Sequence, residues 1–216
     1  MHLRILRFSY KRNRFILFLL LMVFYILIPG LAAATHRAFG LERCIETISY
    51  ASHTLIPLCS VLLGLVYLQM WIDNDCQETM RACSRGRFTS GIGILILTAI
   101  LVLMLLPLIL VAMKTLDYSF GEFIKLSAEI FFCLTTLYVL SLLFRSMAVG
   151  IIVVIAYLMF CILFSGNADF VGFCIVRVGA VASLGDAFEL YLPVTVVSAF
   201  VLASAILFER YVYRKY

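Results

Sequence analysis

Residues 92–113 read IGILILTAILVLMLLPLILVAM, an apolar stretch without a charged side chain. A helix needs about 20 apolar residues to cross a membrane, because each residue adds about 1.5 Å and the hydrocarbon core is about 30 Å thick. A helix on the surface of a soluble protein keeps a polar face over such a length. This stretch therefore predicts a transmembrane helix and, with it, an integral membrane protein.

Five further apolar runs of spanning length lie on both sides of this stretch. Hydrophobic residues make up 64% of the chain and charged residues only 13%, about half the charged share of a typical soluble domain. No run contains Asp, Glu or Arg, except that Glu129 lies in the fourth. We therefore expect an all-α membrane protein with six transmembrane helices, at Phe15–Ala34, Thr54–Ile72, Ile92–Met113, Leu126–Phe144, Met147–Phe164 and Leu190–Phe208.

Basic residues flank these runs, and their distribution predicts the orientation. With the N-terminus in the cytoplasm, 12 of the 17 Lys and Arg residues fall in cytoplasmic segments. They are Arg4, Arg7, Lys11, Arg12, Arg14, Arg81, Arg85, Arg87, Arg145, Arg210, Arg214 and Lys215. Because Lys and Arg in short loops favour the cytoplasmic side, we expect both termini there, in a bacterial plasma membrane. Positive charge distributed in this way gives no reason to expect nucleic acid as a partner.

The first apolar run follows a basic segment, as the core of a signal peptide does. It is long and has no convincing small-residue cleavage site, so we expect a retained helix within a membrane domain of residues 15–216. Residues 1–14, MHLRILRFSYKRNR, alternate apolar and basic side chains. This composition suits an amphipathic helix lying in the cytoplasmic headgroup layer, and a frayed basic tail is the alternative.

Two loops carry further information. Residues 73–89, DNDCQETMRACSRGRFT, form the longest predicted cytoplasmic loop, with acidic residues first and basic residues last, an order that suits a short helix. Residues 166–189 form the longest predicted outer loop, and its stretch Phe170–Leu184 is apolar except for Arg177 and Ser183. Because this stretch is too apolar for a free loop and too short to cross the membrane, we expect a re-entrant or interfacial hairpin broken near Gly179 and Gly185.

Few residues suggest chemistry. Lys125 and Glu129 have the i, i+4 spacing at which opposite charges meet on a helix, so they predict either an ion pair or a contact with a transported substrate. The three histidines, His2, His36 and His53, lack metal-ligand spacing, and no P-loop or protease motif occurs. We therefore expect no enzymatic activity, no metal and no cofactor bound by this chain. Of the cysteines, only Cys44 and Cys174 fall in predicted outer segments, and whether they form a disulfide stays open.

The six spans, the basic N-terminal segment, the short helix predicted in 73–89 and the hairpin predicted in 166–189 together resemble the permeases of type-2 ABC exporters. The resemblance covers essentially the whole chain. These permeases are the transmembrane subunits of ATP-driven exporters similar to bacteriocin-immunity, drug-efflux and polysaccharide-export systems. In this family the loop between spans two and three forms a coupling helix that docks into the ATPase subunit. The residues in the corresponding order here are Asp75, Glu78, Thr79, Arg81, Ser84 and Arg85.

The resemblance implies a transport subunit that exports a cargo while a separate subunit binds ATP and Mg²⁺. It also implies a second permease, as a homodimer or a heterodimer. Spans rich in Leu, Ile, Val and Phe favour a hydrophobic or amphipathic cargo, such as an antimicrobial peptide or a lipid, because polar cargo needs polar partners within the membrane. Two alternatives stay open: a small six-span substrate-capture subunit of an uptake system, and a non-catalytic membrane assembly factor. A solvated loop that only enforces topology is the alternative for 73–89.

Overall fold

The structure is a computed structural model that describes residues 14–72, 90–116, 118–167, 169–177 and 183–213. Most of these residues are helical, and none of them lies in a strand. Six of the helical stretches are long and apolar enough to cross a membrane. The prediction of an all-α protein with six candidate membrane spans is confirmed at this level.

The first span combines three consecutive pieces: α1 (Arg14–Met22), a π-helical turn (Val23–Leu27) and α2 (Ile28–Phe39). The other five spans are α3 (Leu41–Ile72), α4 (Ser90–Leu116), α5 (Phe120–Phe144), α6 (Met147–Phe164) and α7 (Leu184–Tyr213). A short 3-10 turn, Val171–Phe173, lies between α6 and α7.

Helix α5 lies at the centre of the bundle, where it packs against α3, α4, α6 and α7. In α3 and α5, 67% and 56% of the most apolar window is buried, against 33% or less in the other spans. The outer helices expose large apolar side chains such as Leu103, Leu163 and Phe200. Lipid tails are as apolar as these side chains, so this exposure carries no penalty in a bilayer. The centre of the bundle is therefore where polar side chains need protein partners.

A glycine turn joins α2 to α3. Gly40 has φ +85°, a left-handed conformation that costs glycine least, and its N–H donates to the carbonyl of His36 at 3.2 Å. The next helix starts at once, at Leu41. The segment between the first two spans, which the sequence predicts to be an outer loop, is therefore almost entirely helical.

Three of the helices begin six or more residues before the apolar run that predicts them. The helices begin at Leu41 rather than Thr54, at Phe120 rather than Leu126, and at Leu184 rather than Leu190. Each predicted boundary was placed just after a polar or charged residue, because such residues are costly in lipid. In α3 and α5 the structure buries these residues against one another, so the helices continue through them.

The connection between α6 and α7 packs partly onto α6. The Tyr157 hydroxyl accepts a hydrogen bond from the N–H of Ile175 at 2.9 Å and donates one to the carbonyl of Phe173 at 3.1 Å. Cys174 is buried in this connection. Of the two glycines at which the sequence predicts a hairpin break, Gly185 is the second residue of α7, and Gly179 lies outside the described residues.

Two predicted features cannot be placed. The amphipathic N-terminal segment falls outside the described residues except for Arg14, which begins α1. The predicted coupling loop, with Asp75, Glu78, Thr79, Arg81 and Arg85, also lies outside them. The structure does describe both flanks of that loop, the end of α3 at Ile72 and the start of α4 at Ser90.

Candidate functional site

Four ionisable side chains meet in the centre of the bundle and form what we call the buried charge cluster: His53 on α3, and Glu122, Lys125 and Glu129 on α5. All four are fully or almost fully buried. Steps of three and four residues place the three α5 side chains on one face of that helix. This face packs against α3.

His53 bridges two carboxylates. Its Nδ1 lies 2.6 Å from Oε2 of Glu129, and its Nε2 lies 2.5 Å from Oε2 of Glu122. By helical rise, His53 and Glu129 each lie within about 6 Å of the midpoint of their helix. The contact therefore lies in the central part of both helices, and ionisable groups buried within a membrane-spanning bundle are costly and mark functional sites by default.

The geometry fixes how many protons the cluster holds. A neutral imidazole has one N–H, whereas both ring nitrogens of His53 face a carboxylate oxygen at hydrogen-bonding distance. Either the ring is an imidazolium that donates to both carboxylates, or one carboxyl is protonated and donates to the ring. In both cases the three groups carry one proton more than a neutral imidazole with two carboxylates.

Glu122 is surrounded by hydrogen-bond donors. Besides His53, the Tyr118 hydroxyl donates to its Oε2 at 3.3 Å, and the Ser49 hydroxyl lies 3.5 Å from the same oxygen. The Lys125 ammonium lies 3.7 Å from Oε1. Tyr118 precedes the α5 span, and burial, followed by the Glu122 carboxylate, raises the pKa of Tyr118. This hydroxyl therefore stays protonated and remains a donor to Glu122.

Glu129 is less well satisfied. Its Oε1 is buried, and no described residue donates a hydrogen bond to it. The buried hydroxyl of Tyr191 on α7 also has no hydrogen-bond partner among the described residues, and it lies in the electrostatic field of Glu129. Unpaired buried polar atoms usually mark a water, an ion or a proton that completes the site.

The sequence predicts two members of this cluster and misses the other two. Lys125 and Glu129, predicted as an ion pair or a substrate contact, both belong to it, with Lys125 next to Glu122 and Glu129 next to His53. His53 and Glu122 are 69 residues apart, so no local pattern joins them. The available signal was the spacing of Glu122, three residues before Lys125 on the same helix face.

A second buried group, which we call the Glu209 node, lies at the other end of the bundle. Glu209 on α7 accepts hydrogen bonds from the Tyr138 hydroxyl on α5 at 2.7 Å and from the Ser90 hydroxyl on α4 at 2.8 Å. The backbone N–H of Ser90 also points to Glu209, at 3.4 Å, as at a capped helix N-terminus. Tyr67 on α3 donates to the Ser90 carbonyl at 3.3 Å. The node thus joins four helices.

An apolar cavity of about 370 Å³ opens between α2, α3 and α4. Its walls are mostly aliphatic and include Ile28, Ala32, Leu108 and Ala112. Its polar lining includes Tyr118, the same side chain that donates to Glu122. An apolar chamber with a few polar groups at one side is the usual form of a small-molecule site.

The cysteines described by the structure, Cys44 and Cys174 among them, are free thiols. Both are buried, and the Cys44 thiol lies 3.2 Å from the carbonyl of Ala32, to which it donates. Among the described residues, no group of three or more His, Cys, Asp and Glu side chains is arranged to hold a metal ion.

No family model, curated protein or solved structure matches the chain. The two buried polar groups and the cavity are the features of this chain that bear on its function.

Proposed function

We propose that the chain is the transmembrane permease subunit of an ATP-driven ABC exporter. In this proposal it moves a hydrophobic or amphipathic cargo, a peptide or a lipid, out of the cell, while a separate subunit binds ATP with Mg²⁺ and hydrolyses it. The observation that carries the proposal is the position of the Glu209 node at the base of the 73–89 loop. This is the loop that the resemblance assigns to coupling.

The node offers a mechanical route from that loop into the bundle. The loop leaves α3 after Ile72 and enters α4 at Ser90, and Tyr67 links the two flanks through its hydrogen bond to the Ser90 carbonyl. Ser90 is in turn held by Glu209, which also binds Tyr138 on the central helix. A displacement of the loop by an ATPase subunit would therefore move α3, α4, α5 and α7 together.

The cavity supports the proposed class of cargo. Its aliphatic walls, Ile28, Leu108 and Ala112 among them, favour an alkyl chain or an aromatic ring, since burial of apolar surface is the main driving force available there. The cavity also contacts Tyr118, so a polar head of the cargo would lie beside the buried charge cluster. An amphipathic molecule would contact both the aliphatic walls and the polar side of the cavity.

The proposal includes an assembly and an orientation. Both termini and the 73–89 loop lie in the cytoplasm, residues 1–14 lie on the cytoplasmic membrane surface, and the 166–189 connection re-enters the membrane. Two permeases, identical or different, pair with two ATPase subunits in the plasma membrane. Each permease contributes one half of the export path.

The test is reconstitution into proteoliposomes with a P-loop ATPase subunit, which this proposal expects a neighbouring gene to encode. We expect stimulation of ATP hydrolysis and ATP-dependent movement of a fluorescent amphipathic peptide or lipid. The variant Glu78→Ala/Arg81→Ala should insert normally and lose coupling. A matched control is Arg43→Ala/Glu46→Ala, which removes an exposed i, i+3 ion pair on α3, at the opposite end of that helix. Equal transport by both double variants would contradict the proposal.

A substrate-capture subunit of an uptake system is the second candidate. It is favoured by the polar side chains Ser49 and Glu122, which contact each other nearer the predicted outer ends of α3 and α5. Such a subunit would bind a polar ligand with high affinity before any ATPase is present. Binding of a water-soluble vitamin to the purified chain, together with inward transport, would select this candidate over the exporter.

A further inference from the structure

The buried charge cluster has a role that the exporter proposal does not use. His53, Glu122, Lys125 and Glu129 carry four formal charges when the ring is protonated, two positive and two negative, so the cluster is then neutral. Loss of one proton leaves a net charge of −1 on fully or almost fully buried side chains, where an uncompensated charge is strongly disfavoured. The cluster is therefore balanced only with the extra proton in place.

We propose that His53, held between the carboxylates of Glu122 and Glu129, is a proton-binding site, and that release of this proton opens the contact between α3 and α5. When the proton leaves to solvent, one ring nitrogen presents its lone pair to a carboxylate oxygen at about the present 2.5 or 2.6 Å. That contact is repulsive and lengthens. The contact between α3 and α5 thus has two discrete packing states, one with the proton and one without it, which is the requirement for a switch.

The surroundings make the Glu129 contact the one that opens. Glu122 keeps hydrogen bonds from Tyr118 and Ser49 and the nearby charge of Lys125 in either state. Glu129 has a buried oxygen without a donor among the described residues. Separation of Glu129 from His53 therefore admits a water to an oxygen that is already unsatisfied.

The backbone of α3 is also weakened at this level. Pro57 lies four residues after His53 and has no N–H, so the His53 carbonyl lacks its regular helical hydrogen bond. A helix bends most easily where this ladder is interrupted. The proline therefore lies where a change in the His53 contact would be converted into a movement of α3.

Titratable and charged groups near this cluster come from α5 and the residues just before it, from the connection between α6 and α7, and from α7. They are Tyr118 before α5, Glu122, Lys125, Glu129 and Cys133 on α5, Arg177 in the connection between α6 and α7, and Tyr191 on α7. Arg177 is the one further cation among these groups, and it is partly exposed. Tyr118, which lines the cavity, gives the proton a polar route between the cavity and Glu122.

The proposal is tested on the full chain in lipid nanodiscs, with ¹⁵N-labelled histidine and His2→Gln/His36→Gln as the background that leaves His53 as the only signal. We expect one proton shared by the ring and the carboxylates at neutral pH, seen either as an imidazolium in the nitrogen spectrum or as a protonated carboxyl in the infrared spectrum. Titration to alkaline pH should remove it, leaving a neutral imidazole. Both an imidazolium and a protonated carboxyl would support the proposed proton-binding site.

Glu129→Gln removes one negative charge and should leave His53 neutral over the pH range in which the wild type titrates. Its matched control is Glu209→Gln, another buried glutamate that does not contact His53, which should keep the wild-type titration. As the pH rises through release of this proton, the apparent Tm of the wild type should fall by about 5 °C or more, because over this range the folded state holds a proton that the unfolded chain has already lost. The apparent Tm of Glu129→Gln should stay flat over the same range.

Three outcomes overturn the proposal. The first is a wild-type ring that stays neutral with no protonated carboxyl at any pH tested, and this outcome needs no variant to fold. The second is an equal change of the His53 signal in Glu209→Gln and Glu129→Gln. The third is a wild-type proton that leaves without any change in apparent Tm, which would show a bound proton that does not control helix packing.

Discussion

Nδ1 of His53 lies 2.6 Å from Oε2 of Glu129, although the two residues are 76 positions apart in the chain. Both are fully buried, and each lies close to the middle of its helix. The contact joins the two most buried helices of the bundle. It therefore contributes to the packing of α3 on α5 and lies within the buried charge cluster.

The first prediction concerns the removal of this histidine. His53→Ala leaves two buried carboxylates with only Lys125 as a close cation in the described cluster, so we expect a loss of about 3–5 kcal/mol in stability. The measurement is thermal unfolding of the purified protein in detergent. His36→Ala is the control, because His36 is exposed and should change stability by less than about 0.5 kcal/mol. Similar stabilities of the two variants would contradict a structural role for the cluster.

The second prediction concerns the Glu209 node. Glu209→Ala leaves the Tyr138 hydroxyl and both Ser90 donors without their common acceptor, so we expect a loss of about 1–3 kcal/mol for each donor that stays unsatisfied. Glu189→Ala, on the same helix but exposed, serves as the control and should change little. If the node also transmits motion from the 73–89 loop, Glu209→Gln should keep most of the stability and reduce cargo-stimulated ATP hydrolysis. Full stimulation in Glu209→Gln would restrict the node to a structural role.

The third prediction compares two helical glycines. A Cβ at Gly93 would overlap the Tyr67 side chain, which binds the Ser90 carbonyl, whereas a Cβ at Gly30 meets nothing within 4 Å. We expect Gly93→Ala to destabilise the protein by about 1–3 kcal/mol, through overpacking and displacement of Tyr67. Gly30→Ala should be neutral or slightly stabilising, because alanine is the better helix former. Unfolding of both variants in the same detergent decides the comparison.

The fourth prediction tests the orientation. The native Cys44 and Cys174 are buried and would not report on it, so single cysteines are placed at exposed positions in a background without native cysteines. With an impermeant thiol reagent on intact cells, we expect labelling of Glu46→Cys, at the predicted outer end, and none of Arg145→Cys, at the predicted inner end. Labelling should reach Arg145→Cys once the membrane is opened. The reverse pattern would place the 73–89 loop outside, where no ATP is available, and remove the basis for an ATP-driven exporter.

Much of the fold follows from the sequence because membrane insertion depends on properties that add up along the chain. The run 92–113 needs no partner to be stable in lipid, and it lies within α4. Lys125 and Glu129 are recognisable from sequence for the same reason, since a charge within an apolar run is unfavourable whatever surrounds it. Their partners are not recognisable from the sequence, because only the packing of α3 on α5 brings His53 to Glu129.

The sequence by itself determined that the chain is helical, that it has six stretches able to cross a membrane, and that Lys125 and Glu129 share a face of one of them. Only the tertiary structure decided where α3 and α5 begin, that His53 lies between Glu122 and Glu129, and that Glu209 caps α4 through Ser90. The reason is physical. Transfer of an apolar side chain into lipid depends on that side chain alone, whereas burial of an ionisable group depends on a partner that another helix must supply.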